Sequence, residues 1–182
     1  MRNGKLCVGI IGLQGYGGTY FASLSTLPWA EITAICDKNE EVLQRNAKQH
    51  DIRLFFTDYT KMLQNKEIDV VFIATPHFLH YKMTMDALRA GKHVFCEKPL
   101  AMNRGEAEEM NAQAEAKGLL LSCHYNRRQS ALVKLLKEAA DRQTFGGIYA
   151  VHVKWMARYT PFMFSEDSAW RREKAKAGGG IL

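Results

Sequence analysis

With 182 residues, 47% of them hydrophobic and 24% charged, the chain is sized for one well-buried domain of ordinary globular composition and part of another. Its formal charge of +6 is spread over dispersed lysines and arginines, and the pairs Arg127-Arg128 and Arg171-Arg172 lie far apart, so a nucleic-acid-binding stripe is excluded and a solvated surface that attracts a small anionic ligand is favoured. The longest apolar runs are only a few residues, which excludes a membrane-spanning segment, and no signal-peptide pattern opens the chain; a cytosolic protein is expected.

From the N-terminus, Leu6 to Ile11 is a near-continuous apolar run and predicts a strand buried on both faces. Gly18 to Leu27 predicts a helix, Glu31 to Cys36 a second strand, and Glu40 to His50 a second helix with Asn39 as its N-cap. Phe55-Phe56 with Asp58-Tyr59 predicts a short strand and a turn. Val70 to Ala74, His93 to Cys96 and Leu119 to Cys123 read as further strands. Between them, Leu79 to Ala90 and Arg104 to Lys117 read as helices, with Asn103 as an N-cap and Gly91 and Gly118 as C-terminal stops. This alternation predicts an α/β fold, a doubly wound parallel sheet over residues 1–123.

After Cys123 the pattern changes. Leu132, Leu135, Leu136, Ala139 and Ala140 share one helix face, while Val151, Val153, Trp155, Ala157 and Tyr159 alternate with polar residues as a half-buried strand does. Residues 124–182 are therefore predicted to begin a second, incomplete α+β domain whose lone strand lacks a sheet, and Lys174 to Gly180 is predicted to be a flexible end. Cys7, Cys36, Cys96 and Cys123 each fall in a strand or at its end without the close spacing of a zinc site, so buried thiols are expected and no metal site is predicted.

Two places carry chemistry. Gly12-Leu13-Gln14-Gly15-Tyr16-Gly17 follows the first strand directly, where a tight turn aims free backbone N–H groups at a pyrophosphate. Gln14 stands where the dinucleotide fingerprint usually has its second glycine; its side chain restricts the approach of a phosphate, while its amide offers a hydrogen bond. Asp37 ends the second strand, where a carboxylate accepts from both adenosine ribose hydroxyls and repels a 2′-phosphate, or alternatively caps the next helix. NAD is therefore favoured over NADP, with Lys38 beside it weakening the preference. The second place is Glu97-Lys98-Pro99, directly after a strand. There a partly desolvated Lys98 ammonium can hold a substrate oxygen or move a proton, Glu97 can orient it, and the Lys98-Pro99 bond can be cis.

The Gly9 to Gly17 segment, Asp69 to Pro76 with His80, Ala87 to Ala101, and Trp170-Arg171 before Gly178-Gly179-Gly180 together resemble the Gfo/Idh/MocA family of nicotinamide-dependent oxidoreductases. The resemblance implies hydride transfer to or from a sugar, inositol or related polyol, with Lys98 and Glu97 as catalytic residues. It also implies that Thr75 and Pro76 pass beside the cofactor, that His80 matches a family histidine, and that His124, Trp170 and Arg171 lie at the nicotinamide end. Family proteins are roughly twice this length, with a dinucleotide-binding half before a substrate half. The chain is accordingly expected to be a piece that binds cofactor without turnover, and a full-length form to be a homo-oligomer. The alternative is a non-catalytic NAD-binding sensor or regulatory module.

Overall fold

The computed structural model describes residues 4–154, 156 and 166–178. The apolar runs form six strands, β1 (Leu6–Ile11), β2 (Ala30–Cys36), β3 (Leu54–Phe56), β4 (Val70–Ile73), β5 (His93–Cys96) and β6 (Leu121–Cys123). Every neighbouring pair is parallel, in the order β3-β2-β1-β4-β5-β6. The chain thus winds outward from β1 in one direction and from β4 in the other. Where the direction reverses, between β1 and β4, the C-terminal edge of a doubly wound sheet opens a ligand crevice.

The strands read as continuous apolar runs because both faces are covered. Val8 and Ile10 pack with Tyr20, Phe21 and Leu24 of α1 (Tyr20–Ser25) and with Leu43 and Ala47 of α2 (Glu40–Gln49). Ile11, Ile73 and Cys96 pack on the other face with Met62 and Leu63 of α3 (Tyr59–Leu63), Met83 and Leu88 of α4 (His80–Arg89) and Ala114 of α5 (Arg104–Ala116). Each fully buried Ile or Leu in these layers contributes about 1.5–3 kcal/mol relative to exposure. A polar group at Ile10 or Ile35, both 0% exposed, would therefore consume much of an ordinary domain's margin.

The predicted punctuation is present: the Asn39 and Asn103 side chains accept from Val42 N–H and Glu106 N–H, and Gly91 and Gly118 adopt φ of 77° and 63° after α4 and α5. Two elements differ. The helix α3 stands where a turn was predicted after β3, its Asp58 side chain accepting from Thr60 N–H. The last strand starts at Leu121, since Leu119 N–H is drawn back to the Ala114 carbonyl and so closes the end of α5.

The chain divides into two compact units, one running through His124 and including the segment from Trp170 onward, the other covering Tyr125–Ala169. In the second unit α6 (Ala131–Asp141) matches the predicted helix, with Ser130 as N-cap, and leaves Leu132, Leu135 and Leu136 exposed. The predicted strand is not formed at residues 151–154, where Val151 and Val153 are exposed; no partner strand exists for them among the described residues. Trp155, Ala157 and Tyr159 lie outside the described residues. The predicted flexible end is corrected as far as Gly178: α7 (Lys174–Ala177) forms a helical turn closed by Gly178 at φ 82°, while Gly179 and Gly180 lie outside the described residues.

Cys7, Cys36 and Cys96 are buried and Cys123 partly so. Burial, then the neighbouring Asp37 charge, pushes the Cys36 thiol up to about 12, and burial likewise raises Cys96, so both are unreactive core groups. Among the described residues no helix is long and apolar enough to cross a membrane.

Candidate functional site

The turn after β1 closes so tightly that it needs two glycines. Gly12 has φ 85° and a Cβ there would lie 2.7 Å from the Ala74 carbonyl oxygen; a Cβ on Gly17 would fall 1.8 Å from the Gly12 oxygen. Gly12 N–H donates to the Cys36 carbonyl and Leu13 N–H donates to Asp37 Oδ2 at 2.8 Å. The N–H groups of Gln14, Gly15 and Tyr16 donate to no described residue. Gly15 and Tyr16 are exposed and Gln14 is half-buried, so three successive donors are presented at the sheet's C-terminal edge. A pyrophosphate fits such a set, because an anion requires donors that the protein has not already used.

Asp37 is 8% exposed, and both its oxygens hold backbone: Oδ2 accepts from Leu13 and Oδ1 from Asn39 N–H at 2.9 Å. The helix cap is Asn39 rather than Asp37. A carboxylate offers about four lone-pair sites, so these two bonds use roughly half its capacity to brace the turn. Lys38 is exposed beside it.

After β4, Thr75 and Pro76 are half-buried, and the Thr75 carbonyl lies 2.8 Å from His80 Nε2. His80 is 0% exposed and its Nδ1 lies 2.7 Å from the Pro99 carbonyl, so the ring bolts the β4 turn to the β5 turn. Burial, opposed by these two carbonyls, holds its pKa below the ordinary histidine value. His80, expected among the cofactor-binding residues, is buried with each ring nitrogen facing a backbone carbonyl, one of which a neutral ring can donate to.

The Lys98-Pro99 bond is cis. Lys98 is exposed, not partly desolvated as expected, and its ammonium is engaged by no described residue. Nor does Glu97 orient it. The Glu97 carboxylate is 6% exposed and turns inward, accepting from Tyr20 Oη at 2.6 Å and meeting His124 Nδ1 at 2.6 Å. Its other oxygen accepts from Lys98 backbone N–H at 3.2 Å. The reason is local: Glu97 N–H continues the sheet ladder to the Ile73 carbonyl, which directs its side chain under the turn and leaves the next side chain outside.

Trp170 and Arg171 stack on each other, the guanidinium 4.4 Å from the indole, and Trp170 meets the edge of His77 at 4.5 Å. His77 Nδ1 lies 3.1 Å from the Ala177 carbonyl, and burial lowers its pKa. The segment from Trp170 to Gly178 therefore packs beside the β4 turn.

Reading the chain alone missed Tyr20 and His77. The signal for Tyr20 was available: it lies on the buried face of α1, and a buried tyrosine hydroxyl needs a partner. Which partner, 77 positions away, was not.

The model of the oxidoreductase family with an NAD-binding Rossmann fold, Gfo/Idh/MocA, matches residues 6–125. The chain is 28% identical over 174 residues to 1,5-anhydro-D-fructose reductase of Ensifer adhaerens, covering 96% of this chain and 51% of that protein. It is 29% identical over 175 residues to an NADP-dependent scyllo-inositol 2-dehydrogenase of Bacillus subtilis, covering 94% and 47%. Among solved structures it resembles the WlbA dehydrogenase of Bordetella pertussis in complex with NADH and UDP-GlcNAcA, with a TM-score of 0.75, 28% identity, and coverage of 80% and 44%. The chain spans about half the length of these relatives. A six-stranded sheet with this winding, a donor-lined turn after its first strand and a match over residues 6–125 establish that the chain belongs to the Gfo/Idh/MocA family of NAD(P)-binding oxidoreductases.

Proposed function

We propose that the chain binds a nicotinamide dinucleotide along the C-terminal edge of its sheet and forms the cofactor half of an oxidoreductase acting on a CH–OH group of a sugar, inositol or related polyol. The observation that carries this reading is the shared edge: the N–H groups at Gln14 to Tyr16 lie beyond β1 and the exposed Lys98 ammonium beyond β5, on the same C-terminal edge of the sheet and on either side of β4. A bound nicotinamide supplies the hydride acceptor or donor.

The chain's residues then bind, orient and handle protons. The Gln14, Gly15 and Tyr16 N–H groups take the pyrophosphate, with Gly12, Leu13 and Gly17 setting the turn. The unused lone pairs of Asp37 accept from the adenosine ribose, and its charge opposes a 2′-phosphate, so NAD is preferred to NADP. Thr75, Pro76, Trp170 and Arg171 line the route toward the nicotinamide. Lys98 Nζ donates to the reacting oxygen and stabilises the charge that develops there. Glu97 acts from beneath, through Tyr20 and His124 rather than on Lys98.

Calorimetric titration with both dinucleotides tests the cofactor assignment. NAD is expected to bind more tightly, Asp37→Ala to narrow or reverse the difference, and tighter NADP binding by the unmodified chain would sink the preference. Turnover is tested on the natural full-length protein with a panel of polyols, beside the 182-residue chain, which is expected to bind without turning over. Tight NAD binding with no oxidation by the full-length protein would favour a sensor instead.

A further inference from the structure

We infer that Tyr20 and Glu97 are positioning residues for His124: they hold its ring in the form protonated at Nδ1, so that Nε2 is an outward acceptor for the carboxamide amine of a bound nicotinamide. The ligand half of this inference rests on the cofactor reading above.

The backbone fixes both partners. Glu97 N–H donates to the Ile73 carbonyl at 2.9 Å and His124 N–H to the Cys96 carbonyl at 2.8 Å, each extending the ladder one residue past its strand. Glu97 Oε1 then lies 2.6 Å from Tyr20 Oη and 2.6 Å from His124 Nδ1. Burial, then the Glu97 carboxylate, raises the Tyr20 phenol far above its ordinary value, so it stays a donor. An ionised carboxylate only accepts, so the contact at Nδ1 requires a proton on that nitrogen.

A neutral imidazole carries one N–H, which leaves the lone pair on Nε2. Nε2 has no hydrogen-bond partner among the described residues and is not among their buried unsatisfied atoms, so it is open to solvent. The side-chain exposures fit this division: 23% for His124 against 8% for Glu97. The nicotinamide ring has one hydrogen-bond donor group, its carboxamide amine, and an unprotonated Nε2 can receive it. A neutral imidazole backed by an anionic carboxylate also suits the positive charge of the oxidised ring, whereas an imidazolium would repel it.

The spectrum of the chain itself tests the first half. With histidine labelled by nitrogen-15, two-bond nitrogen–proton correlations near pH 8, above the ordinary histidine range, report which ring nitrogen is protonated; the signal lost in His124→Phe identifies this ring. Protonation at Nδ1 is expected, shifting toward Nε2 in Glu97→Gln and in Tyr20→Phe. A wild-type ring protonated mainly at Nε2 overturns the inference whether or not the variants fold. For the second half, binding of NAD is compared with that of its analogue carrying an acetyl group for the carboxamide. The analogue is expected to bind about three- to tenfold more weakly, the size of one lost hydrogen bond, and His124→Phe to erase the difference. An equal ratio in both proteins overturns the ligand half. If neither dinucleotide binds, the cofactor reading fails and the ligand half with it, while the spectrum still decides the positioning of the ring.

Discussion

Lys92 and Lys98 flank the same short strand, β5, one at each edge of the sheet, and meet opposite environments. Lys92 is 7% exposed and its ammonium donates to the Asn65 and Ile68 carbonyls, both at 2.7 Å; burial lowers its pKa, with the Asp69 charge opposing. Lys98 is exposed and its ammonium is engaged by no described residue. The acidic residues do not divide in this way: Asp69 at the N-terminal edge accepts from Cys7 N–H, and at the C-terminal edge the buried Asp37 and Glu97 hold a glycine turn and a histidine ring. The N-terminal edge buries its lysine in the fold, and the C-terminal edge presents the Lys98 ammonium and the N–H groups of Gln14 to Tyr16 outward. Strand direction sets the difference, because each parallel strand delivers its following turn to the same edge.

The sharpest test of this division is Lys98→Met in the full-length protein. Turnover is expected to fall about a hundredfold or more while NAD affinity stays within several-fold, as for a group acting on developing charge. Steady-state kinetics beside calorimetry measures both, and an equal loss in binding would make Lys98 a cofactor anchor. The mirror experiment, Lys92→Met, is expected to cost about 2–3 kcal/mol of stability, because two buried carbonyls lose a charged donor. Urea unfolding reads that loss, and NAD affinity is expected not to change. A loss of affinity without a loss of stability would erase the contrast between the edges.

Gly17→Ala comes next. Its Cβ would meet the Gly12 carbonyl, a backbone atom that cannot move without opening the turn. A stability loss of about 1–3 kcal/mol together with weakened dinucleotide binding is expected, and an unchanged affinity would separate the turn from the cofactor. Acidification has a smaller effect. His80 holds its proton less readily folded than unfolded, so as pH falls through the ordinary histidine value the unfolded chain binds more protons and stability drops. The loss between neutral pH and about 5.5 is expected to be on the order of 1 kcal/mol. Thermal melts should show a shallower pH slope for His80→Asn, and an equal slope would assign the effect elsewhere.

The smallest expected effect lies in the second unit, where Leu132, Leu135 and Leu136 form an exposed apolar stripe on α6. Weak self-association is expected by light scattering and should diminish in Leu135→Glu. A monomeric wild-type chain at high concentration would remove the stripe as an association surface.

Residues 6 to 123 wrote most of their elements openly, because strands buried on both faces must be apolar throughout and helices between them need caps and stops. The run Leu6–Ile11, the Asn39 and Asn103 caps and the glycines after α4 and α5 are all consequences of local chemistry. The fold class and the presence of a donor-rich turn at Gly12 follow from the same local rules. The five-residue α3 was hidden, since it has too few turns to show a helical period. The alternation from Val151 is the converse case, a local strand pattern without a strand at residues 151–154, because pairing needs a neighbour that no pattern supplies. Only the tertiary structure turned Glu97 away from Lys98 and onto Tyr20 and His124, and set His80 between the Thr75 and Pro99 carbonyls. Those contacts join residues from different strand ends and helices, and their partners are chosen by the order of strands in the sheet, which no stretch of neighbouring residues encodes.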